Sequence, residues 1–95
     1  MRTMTLMTRP TAHDLDAASV LLNRLAREHG LSNLRHGADP GEIVADLEGE
    51  RSYFAVIAFE DAVEGHLGWR PDVVPAGAPD ARPGRRVGAD GTHVA

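Results

Sequence analysis

The sequence predicts an α/β fold, a small sheet flanked by helices, on three observations. The first is an apolar stripe at three-and-four spacing, Leu15, Ala18, Leu22, Leu25 and Ala26, closed by Gly30. The second is a pair of short apolar runs, Ile43 to Leu47 and Asp72-Val73-Val74, which read as strands. The third is the stretch between them, Tyr53 to Leu67, whose apolar residues keep helical spacing to the end.

Residues 1–10 read as a lead-in. Met1 to Met7 carry one arginine and no long apolar core, unlike a signal peptide, and no apolar run approaches membrane-spanning length. A cytoplasmic protein without a membrane partner is therefore expected. Thr11-Ala-His-Asp14 has the spacing of a capping box, so a helix is expected to begin there and to pack its apolar stripe on a sheet.

Leu31 to Arg35 is a weaker strand candidate, because Leu31 and Leu34 do not alternate cleanly. His36 to Gly41 reads as a connecting turn. Ile43 to Leu47 is entered through Asp39-Pro40-Gly41 and left through Glu48-Gly49-Glu50, both turn-forming clusters.

Tyr53 to Phe59 is seven consecutive apolar residues and suits a buried strand as well as a helix. The continuation through Ala62, Val63 and Leu67 favours a helix capped by Ser52 and stopped by Gly68. Phe54, Ile57 and Ala58 are expected on one face, and Glu60, Asp61 and Glu64 on another. Such a helix has more apolar surface than one small sheet covers, which leaves open both complete burial and a partner surface or dimer contact. Trp69 is expected to pack where this helix turns into the last strand. From Pro75 onward prolines alternate with glycine, alanine and arginine without apolar periodicity, so residues 76–95 are expected to be a disordered tail behind a domain of residues 11–75.

Composition removes several functions. The chain has 95 residues, 14 acidic and 10 basic, and a net charge of −4, which gives no case for nucleic-acid binding through a basic surface. All ten basic residues are arginine, which excludes a lysine Schiff base, a P-loop lysine and a lysine general base. Cysteine is absent, which excludes disulfides, thiolate nucleophiles and cysteine-ligated metal centres. The five histidines show no HExxH or other close ligand pairing.

Four words occur in a characteristic order: HGLSNLR (His29 to Arg35), IVADLEGERS (Ile43 to Ser52), FEDAVEGHLG (Phe59 to Gly68) and RPDVV (Arg70 to Val74). In these the chain resembles the minimal nucleotidyltransferases of the polymerase-beta-like superfamily, antitoxins paired with HEPN-type toxins. The resemblance covers about half the chain, Arg24 to roughly Pro79. It implies a small nucleotidyltransferase-type sheet flanked by helices, and an enzyme that uses Mg²⁺ and ATP to transfer AMP to a toxin partner.

The same resemblance marks what is missing. Family members carry a Gly-Ser pair after the first strand, then a short helix, then Asp-x-Asp opening the second strand; here Arg35 is followed only by HGADPGE before Ile43. The fold is thus expected to be incomplete at the active-site helix and at the C-terminus. Gly37, followed by Ala38, keeps the backbone freedom to approach a triphosphate but not the serine hydroxyl. Glu42 falls at the second acid of the pair, Pro40 at the first, and Asp72 matches the third acid. Glu42 and Asp72 are accordingly the expected metal ligands, with Asp72 also the expected catalytic residue. Asp46-Leu47-Glu48 offers another acid pair but breaks the resemblance on both sides. Solvated strand-end charge is the plain reading of Glu42, Asp46 and Glu48. Arg35 and Arg70 flank the site in sequence, where they could meet phosphate or stay in solvent. The expected function is an impaired nucleotidyltransferase, or alternatively a catalytically inert antitoxin-like binding module or a degraded gene copy.

Overall fold

The computed structural model describes residues 9–49 and 53–89. Six elements follow one another: α1 (Ala12–Ala17), α2 (Ser19–Glu28), β1 (Leu31–His36), β2 (Glu42–Leu47), α3 (Tyr53–Leu67) and β3 (Asp72–Pro75). The strands form one mixed sheet in the order β1-β2-β3, with β1 antiparallel to β2 and β2 parallel to β3. This is a small α/β domain.

The capping box is formed at both ends: Thr11 Oγ1 accepts from the Asp14 N–H at 3.0 Å, and Asp14 Oδ2 accepts from the Thr11 N–H at 2.9 Å. The expected single first helix is interrupted at Ala18, whose backbone leaves helical geometry (φ −100°, ψ 15°), so α1 and α2 are separate. Leu15, Leu22, Leu25 and Ala26 are buried as the stripe requires. They meet Leu31, Leu34, Ile43 and Ala45 of the sheet and Val56, Phe59 and Val63 of α3 in one core. Gly68 closes α3 in the left-handed region at φ 82°.

β1 owes its irregular pattern to a bulge. Ser32 pairs with Asp46 and Arg35 with Val44, so two residues of β1 oppose one of β2, and Asn33 adopts φ 55°. Asparagine tolerates that conformation, and its Nδ2 donates to Asp46 Oδ2 at 3.1 Å.

Two expectations are corrected. On α3 the buried face is Val56, Phe59, Glu60 and Val63, while Phe54 is 79% exposed. The first two turns are apolar nearly all round, so their pattern gives little direction, and Glu60 can be buried because it has partners there. The tail also differs: residues 76–89 are placed, and those after 83 return to the outer edge of β1. The His36 N–H donates to Arg85 O, the Gly84 N–H to His36 O and the Val87 N–H to Leu34 O, and Val87 enters the core at 3% exposure. Residues 90–95, like the proposed cap Ser52, lie outside the described residues.

Candidate functional site

The loop between β1 and β2 and the start of β3 bring the expected site residues together. Glu42 and Asp72 are Cα partners at the first position of the two parallel strands, and the Asp72 N–H donates to Gly41 O at 3.1 Å. Sequence reasoning placed these carboxylates 30 positions apart in one site, and the register puts them side by side.

Their side chains have different surroundings. Glu42 Oε1 accepts from the Ala38 N–H at 2.7 Å and the Asp39 N–H at 3.3 Å, so its carboxylate folds back over its own loop. Gly37 permits this, because a Cβ there would collide with Glu42 Oε1, Cγ and Cδ. The Gly37 N–H donates to Glu42 O at 2.9 Å and closes the hairpin. Asp72 is exposed. Among the described residues, no group of three or more histidine, aspartate or glutamate side chains is arranged to hold a metal ion.

The two flanking arginines are both engaged within the chain. Arg35 donates to Asp46 Oδ1 at 2.7 Å and to Asn33 O at 3.1 Å, which also occupies the first acid of the alternative pair. Arg70 bridges Asp61 at 2.5 Å, Glu64 at 3.2 Å and Glu60 at 3.2 Å. Hydrogen bonds from Arg70 to Asp61 and Glu64, with the charge of Glu60 beside it, raise the guanidinium above its ordinary value against a smaller opposing effect of burial. Glu60 Oε2 also accepts from the Val73 N–H at 2.9 Å, which ties α3 to β3. Burial pushes the Glu60 carboxyl up, and the Val73 N–H and Arg70 only partly offset it.

A second polar cluster was not anticipated. Asp16, at the end of α1, accepts from Arg85 through both oxygens (3.3 and 2.7 Å) and from the Gly88 N–H at 2.8 Å, and lies 2.8 Å from His36 Nε2. Burial raises the Asp16 carboxyl, but the hydrogen bonds from Arg85, Gly88 and His36 outweigh it and hold the group well below the usual carboxylate range. No local signal in the sequence could have found this cluster, since Asp16 and Arg85 are 69 residues apart.

Among the described residues, apolar surface is left at two places. Tyr53 and Phe54 at the start of α3 are 57% and 79% exposed. A groove of about 530 Å³ runs between the α1–α2 junction and the end of α3, lined by Val20, Leu21, Leu67 and Trp69 with Asp14 and Arg24 among the polar residues. Trp69 packs partly against the core there. Among the described residues no helix is long and apolar enough to cross a membrane. Compared with family models, with curated proteins and with solved structures the chain has no match.

Proposed function

We propose that this chain is a nucleotidyltransferase-like domain without transferase chemistry, which serves as a binding module for a protein partner. The observation that carries the first half is the position of the Glu42 carboxylate. It is bonded to the Ala38 and Asp39 N–H groups, so one of the two surviving acids faces its own loop.

Magnesium and ATP fit poorly on that donor set. Mg²⁺ takes oxygen ligands in a near-octahedral arrangement and is held in such enzymes by carboxylates together with substrate phosphates. Asp72 supplies one exposed carboxylate, while Glu42 would have to give up two hydrogen bonds to supply a second. The Gly37 N–H is spent on Glu42 O, and Arg35 and Arg70 are spent on their own acids, so the groups that would meet a triphosphate are satisfied internally. Loss of even one positioning contact costs such a reaction orders of magnitude in rate.

The binding half rests on the exposed Tyr53, Phe54 and Val20. Exposed aromatic residues are frequent anchors of protein interfaces. By resemblance, the partner is a HEPN-type toxin.

The test is native mass spectrometry of the chain co-expressed with a HEPN-type protein, with Mg²⁺ and ATP supplied. The expected result is a complex whose masses are those of the unmodified chains and whose formation is unchanged by Asp72→Ala. AMP added to the partner and abolished by Asp72→Ala would overturn the reading in favour of an active transferase with Glu42 and Asp72 at the metal. Absence of any complex would overturn the binding half.

A further inference from the structure

The first eight residues of the chain hold a cluster of long apolar side chains. Met1, Met4, Leu6 and Met7 make up half of them, and the methionines are the only three in the sequence. The groove between the α1–α2 junction and the end of α3 leaves Leu21, Leu67 and Trp69 only partly buried. Methionine, unbranched and with a soft thioether, adapts well to such a mixed aliphatic and aromatic lining.

From their point of attachment we infer that residues 1–8 dock in the groove of their own chain, with Met4, Leu6 and Met7 against Leu21, Leu67 and Trp69. Pro10 is buried beside Gly41, where φ is 85° and a Cβ would stand 2.5 Å from Pro10 O. Gly41 O in turn accepts from the Asp72 N–H at 3.1 Å. Trp69 precedes Asp72 by three residues, at most about 10 Å of chain. On the other side Thr11 caps α1, and Asp14, about 5 Å further along the helix, already lines the groove. Residues 1–8 thus leave the domain beside two walls of the groove.

Length and charge suit this occupant. Drawn out, eight residues reach roughly 26 Å. From Asp14 to Arg24 the groove follows about 15 Å of helix, so the segment is long enough to cross it. A tether this short holds the segment at an effective concentration of about millimolar, which favours the chain's own groove over that of another copy. Residues 1–8 carry one arginine and no acid, so no carboxylate loses its water when they cover the groove. The contact uses neither Tyr53 nor Phe54, and those aromatics stay available to the partner proposed above.

Trp69 is the chain's one tryptophan and Met1, Met4 and Met7 are its methionines, so each side of the contact carries its own reporter. Acrylamide quenching of Trp69 is measured for the full chain and for the Met4→Ser/Leu6→Ser/Met7→Ser variant at several protein concentrations. The expected result is quenching several-fold stronger in the variant at every concentration. Oxidation of Met4 and Met7 by dilute hydrogen peroxide, followed by mass spectrometry, should in turn be several-fold faster in Leu21→Ser than in the parent, with circular dichroism to check that the variant is folded. Equal quenching in parent and triple variant would overturn the proposal and leave the groove bare for a separate partner. A difference that fades on dilution would overturn it too, because the segment would then sit in the groove of another copy. So would oxidation of Met4 and Met7 at one rate in the parent and in folded Leu21→Ser.

Discussion

Gly37 and Glu42 occupy one another's space: the position of a Cβ on Gly37 lies 2.6 Å from Glu42 Cγ and 2.7 Å from its Cδ. The backbone of Gly37 is not in a conformation that demands glycine, so the requirement is for room alone. Gly37→Ala should push the carboxylate off the exposed Ala38 and Asp39 N–H groups at a cost of about 0.5–1.5 kcal/mol. In a Glu42→Ala background the same change should cost close to nothing, because the contact is already gone. A urea double-mutant cycle checks this, and equal costs in both backgrounds would remove the coupling.

That pairing also shows where sequence reasoning reaches its limit. The pairing of Glu42 with Asp72 was legible only through the family resemblance, whose register sets both acids at the opening of a strand. The direction of its side chain was not, since that depends on which donors the shortened loop leaves nearby. The α2 stripe was legible from helical spacing and the stop at Gly30, and α3 from its continuation to Leu67 and Gly68, whereas β1 gave only a weak signal and the interruption at Ala18 and the bulge at Asn33 carry no periodic signature. Residues 76–89 misled for a different reason. Their composition is that of an unfolded chain, and their placement comes from Asp16 and the β1 edge, far away in sequence.

Glu60 gives a prediction that separates its charge from its hydrogen bond. Its carboxylate is buried beside α3 and accepts from the Val73 N–H. Glu60→Ala leaves that donor without an acceptor and should cost about 1–3 kcal/mol. Glu60→Gln keeps an oxygen for Val73 and leaves Arg70 with Asp61 and Glu64, so it should stay within about 1 kcal/mol of the parent. The pH dependence has a definite sign. The folded-state pKa of Glu60 is raised, so its contribution is fully present below the unfolded value of about 4.3 and is lost as pH rises through the folded value. Denaturation of parent and Glu60→Gln across the acid range should therefore show the variant gaining on the parent as pH rises; a constant difference would contradict the assignment.

Asp16 should behave in the opposite sense. Its folded-state carboxyl is held down by Arg85, the Gly88 N–H and His36, which together overcome the effect of burial. The stabilisation is present above the unfolded value of about 3.9 and is lost as pH falls through the lower folded value. Asp16→Asn should cost about 1.5–3 kcal/mol at neutral pH, and the difference from the parent should shrink only below about pH 4. Because Asp16 holds Arg85 and Gly88, hydrogen exchange at the Val87 and His36 N–H groups should quicken in the variant, while that of the β2–β3 ladder stays close to the parent's. Uniform quickening across the sheet would instead mean that Asp16 supports the whole domain rather than the segment it pins.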